Sequence, residues 1–259
     1  MFGVVLLEPG ATACLAEWSA LLAAPVVGSF LGVLVRRLPD RLPIVWSRSR
    51  CEWCGAALKA GDLVPLYGWL ASRGRCRYCG HSLGWFYPGI EVAAIAVPLS
   101  AAIVDHGVGI WLDCLLGWWL LTLAWIDIRR WLLPDSLTLP LVIAGLLATA
   151  VLDPAELTEH ALGAALGFLS LRAVGLLYQV TRGREGLGRG DAKLLAASGA
   201  WVGVGALPEV VFGAAVSALA AAACLRFAGV RLRAGSALPF GPFLALATWL
   251  IWLFGPFVI

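Results

Sequence analysis

Two acidic residues set in apolar sequence are the first positions able to do chemistry. Asp127 closes the run Leu-Ala-Trp-Ile-Asp, and Asp191 ends Gly-Leu-Gly-Arg-Gly-Asp before a second apolar stretch. Two carboxylates brought together cannot easily both ionise; they share a proton, and their affinities for it split. One can then take a proton from water while the other, still protonated, polarises a carbonyl or protonates a leaving amine. That is aspartic-protease chemistry, and it needs neither a metal nor a covalent intermediate. Gly188 and Gly190 allow a sharp turn and close approach to an extended peptide. A helix N-terminus at Asp191 would favour its ionised form. Lys193, with Arg129 or Arg130, either holds down the net charge of such a pair or marks one membrane face. Taken singly, Asp191 reads equally well as a helix cap and Asp127 as an interfacial partner of Arg130 or Lys193. The GxGD setting and a common depth favour the joint reading. Asp135, just ahead of Ser136, reads as a cap.

A second set of residues points to a metal. Cys51-Glu-Trp-Cys54 and Cys76-Arg-Tyr-Cys79 are two CxxC pairs separated by 21 residues. Four thiolates at this spacing predict a closed, tetrahedral, structural zinc site with no open position for water. Gly55 and Gly80 each follow a pair, where a tight turn around the ion favours the lack of a side chain. The remaining cysteines, Cys14, Cys114 and Cys224, lie in or beside apolar stretches and are expected to be small buried hydrophobes.

These groups must be positioned by membrane helices. The chain has 259 residues, of which 61% are hydrophobic and only 14% charged, with a mean hydropathy of +0.87. Soluble domains carry about 25% charged residues, so an ordinary soluble globule and a disordered chain are both excluded. A net charge of +3 is too small to suggest nucleic acid as a partner. A span needs about 20 apolar residues, and eight are expected: 17–35, 88–104, 109–126, 137–152, 159–180, 192–205, 207–228 and 238–257. The loops alternate in Lys and Arg. Residues 36–87 are rich in Arg, Arg129 and Arg130 follow the third span, Arg182, Arg184, Arg189 and Lys193 follow the fifth, and Arg231 and Arg233 follow the seventh, with Arg226 just before that loop. The intervening loops have none. By the positive-inside rule the basic loops are cytoplasmic and both termini lie outside. The expected organisation is a first span in 1–35, a cytoplasmic tetra-Cys insertion at 36–87, and a helical bundle over 88–259. Ionisable groups at the span ends then become functional suspects, among them Glu91 as well as Asp127 and Asp191. Arg172, inside the fifth span, either snorkels or pairs with a carboxylate.

The chain resembles the type IV prepilin leader peptidases, the bifunctional prepilin peptidase/N-methyltransferases. The resemblance begins at Gly28-Ser-Phe-Leu-Gly-Val-Leu-Val-Arg-Arg-Leu-Pro39 and takes in both CxxC pairs and Tyr87-Pro-Gly-Ile-Glu91. It continues through Asp127, Leu133-Pro-Asp-Ser-Leu-Thr138 and Glu185-Gly-Leu-Gly-Arg-Gly-Asp-Ala-Lys-Leu-Leu195, ending at Pro239-Phe-Gly-Pro-Phe-Leu244. GxGD alone is shared with presenilin-type intramembrane proteases; the cysteine insertion makes the combination specific. The resemblance implies an all-α, eight-span protease of the bacterial inner membrane with Asp127 and Asp191 as catalytic residues. Its substrate would be a prepilin or pseudopilin, cut on the cytoplasmic side after a short basic leader. It also implies methylation of the new N-terminus from S-adenosylmethionine, with Glu91 a contributor. Gly32 stands where the family usually has Asn. Two other classes are weighed against this. A proton-coupled transporter would spread its carboxylates through the membrane depth, and a scaffold would use the zinc insertion only to dock a partner.

Overall fold

The structure is a computed structural model and describes residues 11–44, 48–183, 188–230 and 238–256. Arg184, Glu185, Arg231 and Arg233 lie outside the described residues. The helices are α1 (Ala11–Arg37), α2 (Tyr67–Ala71), α3 (Phe86–Ala101), α4 (Ile110–Arg130), α5 (Asp135–Leu152), α6 (Leu157–Arg182), α7 (Arg189–Val202), α8 (Leu207–Phe227) and α9 (Gly241–Phe254). Among the described residues extended pairing is confined to two isolated bridges. The protein is thus an all-helical, polytopic membrane protein. Among the described residues five segments, Ala13–Arg37, Ile110–Arg130, Asp135–Leu152, Pro154–Arg182 and Leu207–Phe227, are long and apolar enough to cross a membrane. Phe86–Ala101 and Gly241–Phe254 are apolar but shorter.

Each expected apolar segment carries a helix, but the limits differ. The third runs on past 126 to Arg130 and stops where Trp131 adopts a left-handed φ of 55°. Asp127 therefore lies within a helix, one turn from its end. The second stops at Ala101 because residues 102–105 turn back on the last carbonyls of α3, with Asp105 N–H donating to Ala101 O at 2.9 Å. Asp135 is not a cap: Pro134 holds the N-cap position of α5, and the Asp135 carboxylate pairs with Lys193 instead. Of the three lone cysteines only Cys114 is buried; Cys14 and Cys224 are exposed. Both stand on apolar helices whose outer faces lipid would cover, which is why hydropathy alone placed them inside.

The chain divides into two compact units, Met1–Thr122 and Leu123–Ile259. In the first, α1 and α3 cross with little between them. A Cβ on Gly28 would meet the Ala94 Cβ and the Glu91 Cα, both at 2.8 Å. The insertion between α1 and α3 contains two knuckles built alike. Cys51 N–H donates to Ala56 O, and Gly55 N–H donates back to Cys51 O; Cys76, His81 and Gly80 repeat the pattern. Arg50 bridges Ala57 in one, and Arg75 bridges Ser82 in the other. Gly55 and Gly80 adopt φ of 68° and 70°, the left-handed turn for which glycine was expected.

In the second unit α7 is the centre, buried from Asp191 to Trp201 except at Lys193 and packed by α5, α6 and α9. Small residues permit this. A Cβ on Gly199 would fall 2.2 Å from Gly163 O on α6, so the two backbones touch. Polar side chains close the remaining gaps. Trp201 Nε1–H donates to Leu141 O at 2.9 Å, and the hydroxyls of Ser198 and Thr248 lie 2.6 Å apart. His160 Nδ1–H points at Ala200 O at 3.0 Å, so a buried imidazole is tied to the end of α7. Gly199→Ala should destabilise the protein by about 1–3 kcal/mol through overpacking. In detergent that lowers the thermal midpoint by several degrees, whereas Gly61→Ala, in open space, leaves it unchanged.

Candidate active site

Asp127 and Asp191 reach their site from different helices by different means. Asp127 rides on α4, whose apolar residues Leu123 and Ile126 are fully buried beside it. Asp191 occupies the first turn of α7, which starts at Arg189 because Gly188 is extended, with φ −66° and ψ 140°. Both carboxylates are buried, at 6% and 9% exposure. Burial matters here because a carboxylate removed from water holds its proton more tightly. Asp191 precedes the apolar run of 192–205. Its carboxyl is pushed up to about 6, first by burial and then by the negative charge of Asp127, against the Gly188 hydrogen bond. The glycines beside the two acids, Gly190 and Gly241, both come against Leu133.

Leu133 gathers the site. A Cβ on Gly190 would lie 2.8 Å from the Leu133 Cβ, and one on Gly241 would lie 3.3 Å from its Cδ1. Gly190 adjoins Asp191, and Gly241 adjoins Asp127. The Gly241 N–H donates to Asp127 Oδ2 at 3.0 Å, and a side chain there would come within 2.7 Å of that oxygen. The amide fixes one carboxylate oxygen and leaves Oδ1 for another partner. It is available because Gly241 begins α9, where N–H groups have no intrahelical acceptor. Neither role carries a residue-type signal: Leu133 looks like any apolar residue, and a backbone amide is invisible in sequence. The hint is that both lie in segments that carry the family resemblance, Leu133–Thr138 and Pro239–Leu244. Gly188 sits against Asp191, with a Cβ there falling 3.0 Å from Oδ2. Lys193 does not meet the acidic pair; its ammonium is held by Asp135, joining α7 to the start of α5.

Glu91 stands elsewhere, in the first unit. It is buried, and its Oε2 accepts the Leu66 N–H at 2.7 Å. The four cysteines of the insertion do converge: the sulfurs of Cys51, Cys54, Cys76 and Cys79 all lie within 4.8 Å of one another. Amide N–H groups of Cys54 and Trp53 bring the Cys51 thiol down to about 6. Cys79 is drawn down by the His81 amide, yet burial and the three neighbouring sulfurs push it up to about 12. The set resists gathering a fourth negative charge unless a cation shares it, which is what a thiolate metal site supplies. The cluster is able to hold a metal.

The fold and site define a polytopic, all-helical membrane protein with a buried aspartate pair and a tetra-Cys insertion. The chain belongs to the type IV leader peptidase family, whose model matches residues 114–223, while the bacterial peptidase A24 N-terminal domain matches residues 22–104. It is 34% identical to a prepilin leader peptidase/N-methyltransferase of Dichelobacter nodosus, covering 89% of this chain and 88% of that one. A protein of the same name from Burkholderia pseudomallei is 40% identical, covering 87% of this chain and 81% of that one. Another from Pseudomonas aeruginosa is 35% identical, covering 91% and 89% respectively. No solved structure matches the chain significantly. Protein prepared without chelator should carry about one divalent ion per chain. Metal analysis after Cys51→Ser together with Cys76→Ser should find that ion lost.

Proposed function

We propose that this protein is a prepilin peptidase that removes the short basic leader of type IV prepilins or pseudopilins and then methylates the new N-terminus. The observation that carries the proteolytic reading is the buried pair Asp127 and Asp191, assembled around Leu133, in a chain of the leader peptidase family. One shared proton suits the pair to acid and base work together. The ionised carboxylate takes a proton from water as its oxygen attacks the scissile carbonyl carbon. The protonated carboxyl gives its proton to the carbonyl oxygen. Collapse of the resulting diol breaks the C–N bond and delivers a proton to the leaving amine, and the pair returns to its starting charge. Gly241 N–H orients Asp127 for this, while Gly188 and Gly190 leave room for a peptide backbone beside Asp191. The Lys193–Asp135 pair supports the loop that carries Leu133.

The substrate reading follows from depth. A prepilin offers basic residues, a cleavage point and then an apolar helix, so its scissile bond lies at a membrane surface. All eight apolar helices are taken as crossings of the bacterial inner membrane, with both termini periplasmic and the acidic pair at the cytoplasmic face, as the Arg-rich loops suggest. The domains are then a first span in 1–35, the insertion at 36–87 and the protease bundle over 88–259. The insertion binds structural zinc through Cys51, Cys54, Cys76 and Cys79. Methyl transfer draws on S-adenosylmethionine. Its support is the name shared by the relatives, and the buried Glu91 enters it by holding the insertion on α3.

With purified protein and a prepilin, Asp127→Asn and Asp191→Asn should each lower leader removal by at least about 10²-fold, the low end for a lost general acid or base. Gly241→Ala, which displaces the Asp127 carboxylate, should also lower it. Full cleavage by either Asn variant would reject the pair. Adding S-adenosylmethionine should raise the mass of the mature pilin by one methyl group, read on the N-terminal peptide; no gain under conditions that permit cleavage would leave a peptidase alone.

A further inference from the structure

The insertion contains a segment at the wrong depth for a domain standing in water. Arg36 marks the boundary: its guanidinium carbon lies 4.7 and 4.5 Å from the ring centres of Phe86 and Tyr87, and it pairs with Glu52. Charged and aromatic groups collect at this level of a membrane. Glu91 lies deeper. It is level with Gly28, whose Cβ position is 2.8 Å from the Glu91 Cα. Gly28 is about 12 Å along α1 from Arg36, and Glu91 about 8 Å along α3 from Phe86, at 1.5 Å per residue. Leu66 approaches that level from the Phe86 side, because its N–H donates to Glu91 Oε2 at 2.7 Å and a helical side chain leans toward the helix N-terminus.

Residues around Leu66 are built as lipid demands. Backbone groups in hydrocarbon must be satisfied by protein, and irregular backbone is tolerated there only when it is. Leu66 has a left-handed φ of 59°, outside any regular element. Its amide goes to Glu91, that of Tyr67 to Pro65 O, that of Gly68 to Val64 O, and that of Leu70 to Leu66 O. The side chains turn outward: Leu63, Val64, Tyr67 and Leu70 are exposed, the last two at 64% each. Tyr67 and Leu70 share one face of α2 by their i, i+3 spacing. Trp85, also exposed, stacks on Trp69 at 4.7 Å between ring centres. On the helices beside it, Val26 and Phe30 of α1 and Val92 of α3 are exposed as well. Arg73, Arg75 and Arg77 follow directly, exposed where phosphate headgroups would lie.

We infer that residues 63–70 form a re-entrant element seated in the lipid leaflet nearest Arg36 and Arg37, with Tyr67 and Leu70 against acyl chains. Glu91 is a positioning residue for this element. Its carboxylate accepts the Leu66 amide at the turn where Leu66 has a positive φ. The insertion is therefore partly a membrane structure, and its knuckles are held close to the bilayer surface.

The test uses the full chain in phospholipid vesicles. A photoreactive p-benzoylphenylalanine replaces Tyr67, Leu70 or, as a lipid-facing reference, Phe30, one at a time. After irradiation, intact-mass measurement should show phospholipid adducts at 67 and 70 as at 30. Adducts at 30 with none at 67 and 70, or cross-links from 67 and 70 only to protein, would overturn the proposal. In Glu91→Ala the adducts at 67 and 70 should fall while those at 30 persist; in Glu91→Gln, which keeps an acceptor for Leu66, they should remain. Undiminished adducts at 67 and 70 in Glu91→Ala would remove Glu91 from the account.

Discussion

Asp127 and Asp191 are both buried, and the charge of Asp127 bears on Asp191; that opposition is the constraint under which the second unit is built. Like charges held close together away from water oppose each other strongly. The pair is tolerated for two reasons. A shared proton removes most of the opposition, and several independent contacts hold the acids where they are. Leu133 fits against Gly190 and Gly241, the Gly241 amide fixes Asp127, and the seam of α6 and α7 at Gly163 and Gly199 fixes the rod on which Asp191 stands. Loss of a glycine at any of these points pushes a side chain into space the arrangement already uses.

Much of this was legible in the sequence because its signals are compositional. Apolar runs located the helices, the CxxC pairs located the sulfur cluster, and isolated acids at the ends of apolar runs located the buried pair. What escaped were features without a residue-type signature. The Gly241 amide is a property of where α9 begins, and Leu133 is indistinguishable from dozens of other apolar residues until three elements meet around it. Helix ends were misjudged for a related reason. Asp127 reads as a stop signal because it is charged, yet α4 continues for three residues beyond it. Asp135 reads as a cap, yet Pro134 fills that position and leaves the carboxylate for Lys193. Hydropathy also cannot separate an apolar face turned to protein from one turned to lipid, and Cys14 and Cys224 fell on the second kind.

The two units satisfy buried carboxylates in parallel ways. In each, an acid on an apolar helix accepts a backbone N–H from a distant turn: Glu91 from Leu66, Asp127 from Gly241. A main-chain donor brings no competing positive charge into the apolar layer and cannot swing away as a Lys or Arg side chain can. Salt bridges accordingly lie at more open positions, as with Arg77–Asp62 and Lys193–Asp135.

The likeness of the two cysteine knuckles has its own consequence. Each half brings two sulfurs and the same pair of backbone bonds, and neither half alone can complete a four-thiolate shell. Order in residues 50–82 would then arrive in one step, when a single ion clasps both halves. Scarcity of that ion would be felt as an all-or-nothing loss of the finished insertion, in a newly made chain whose helices had already entered the bilayer.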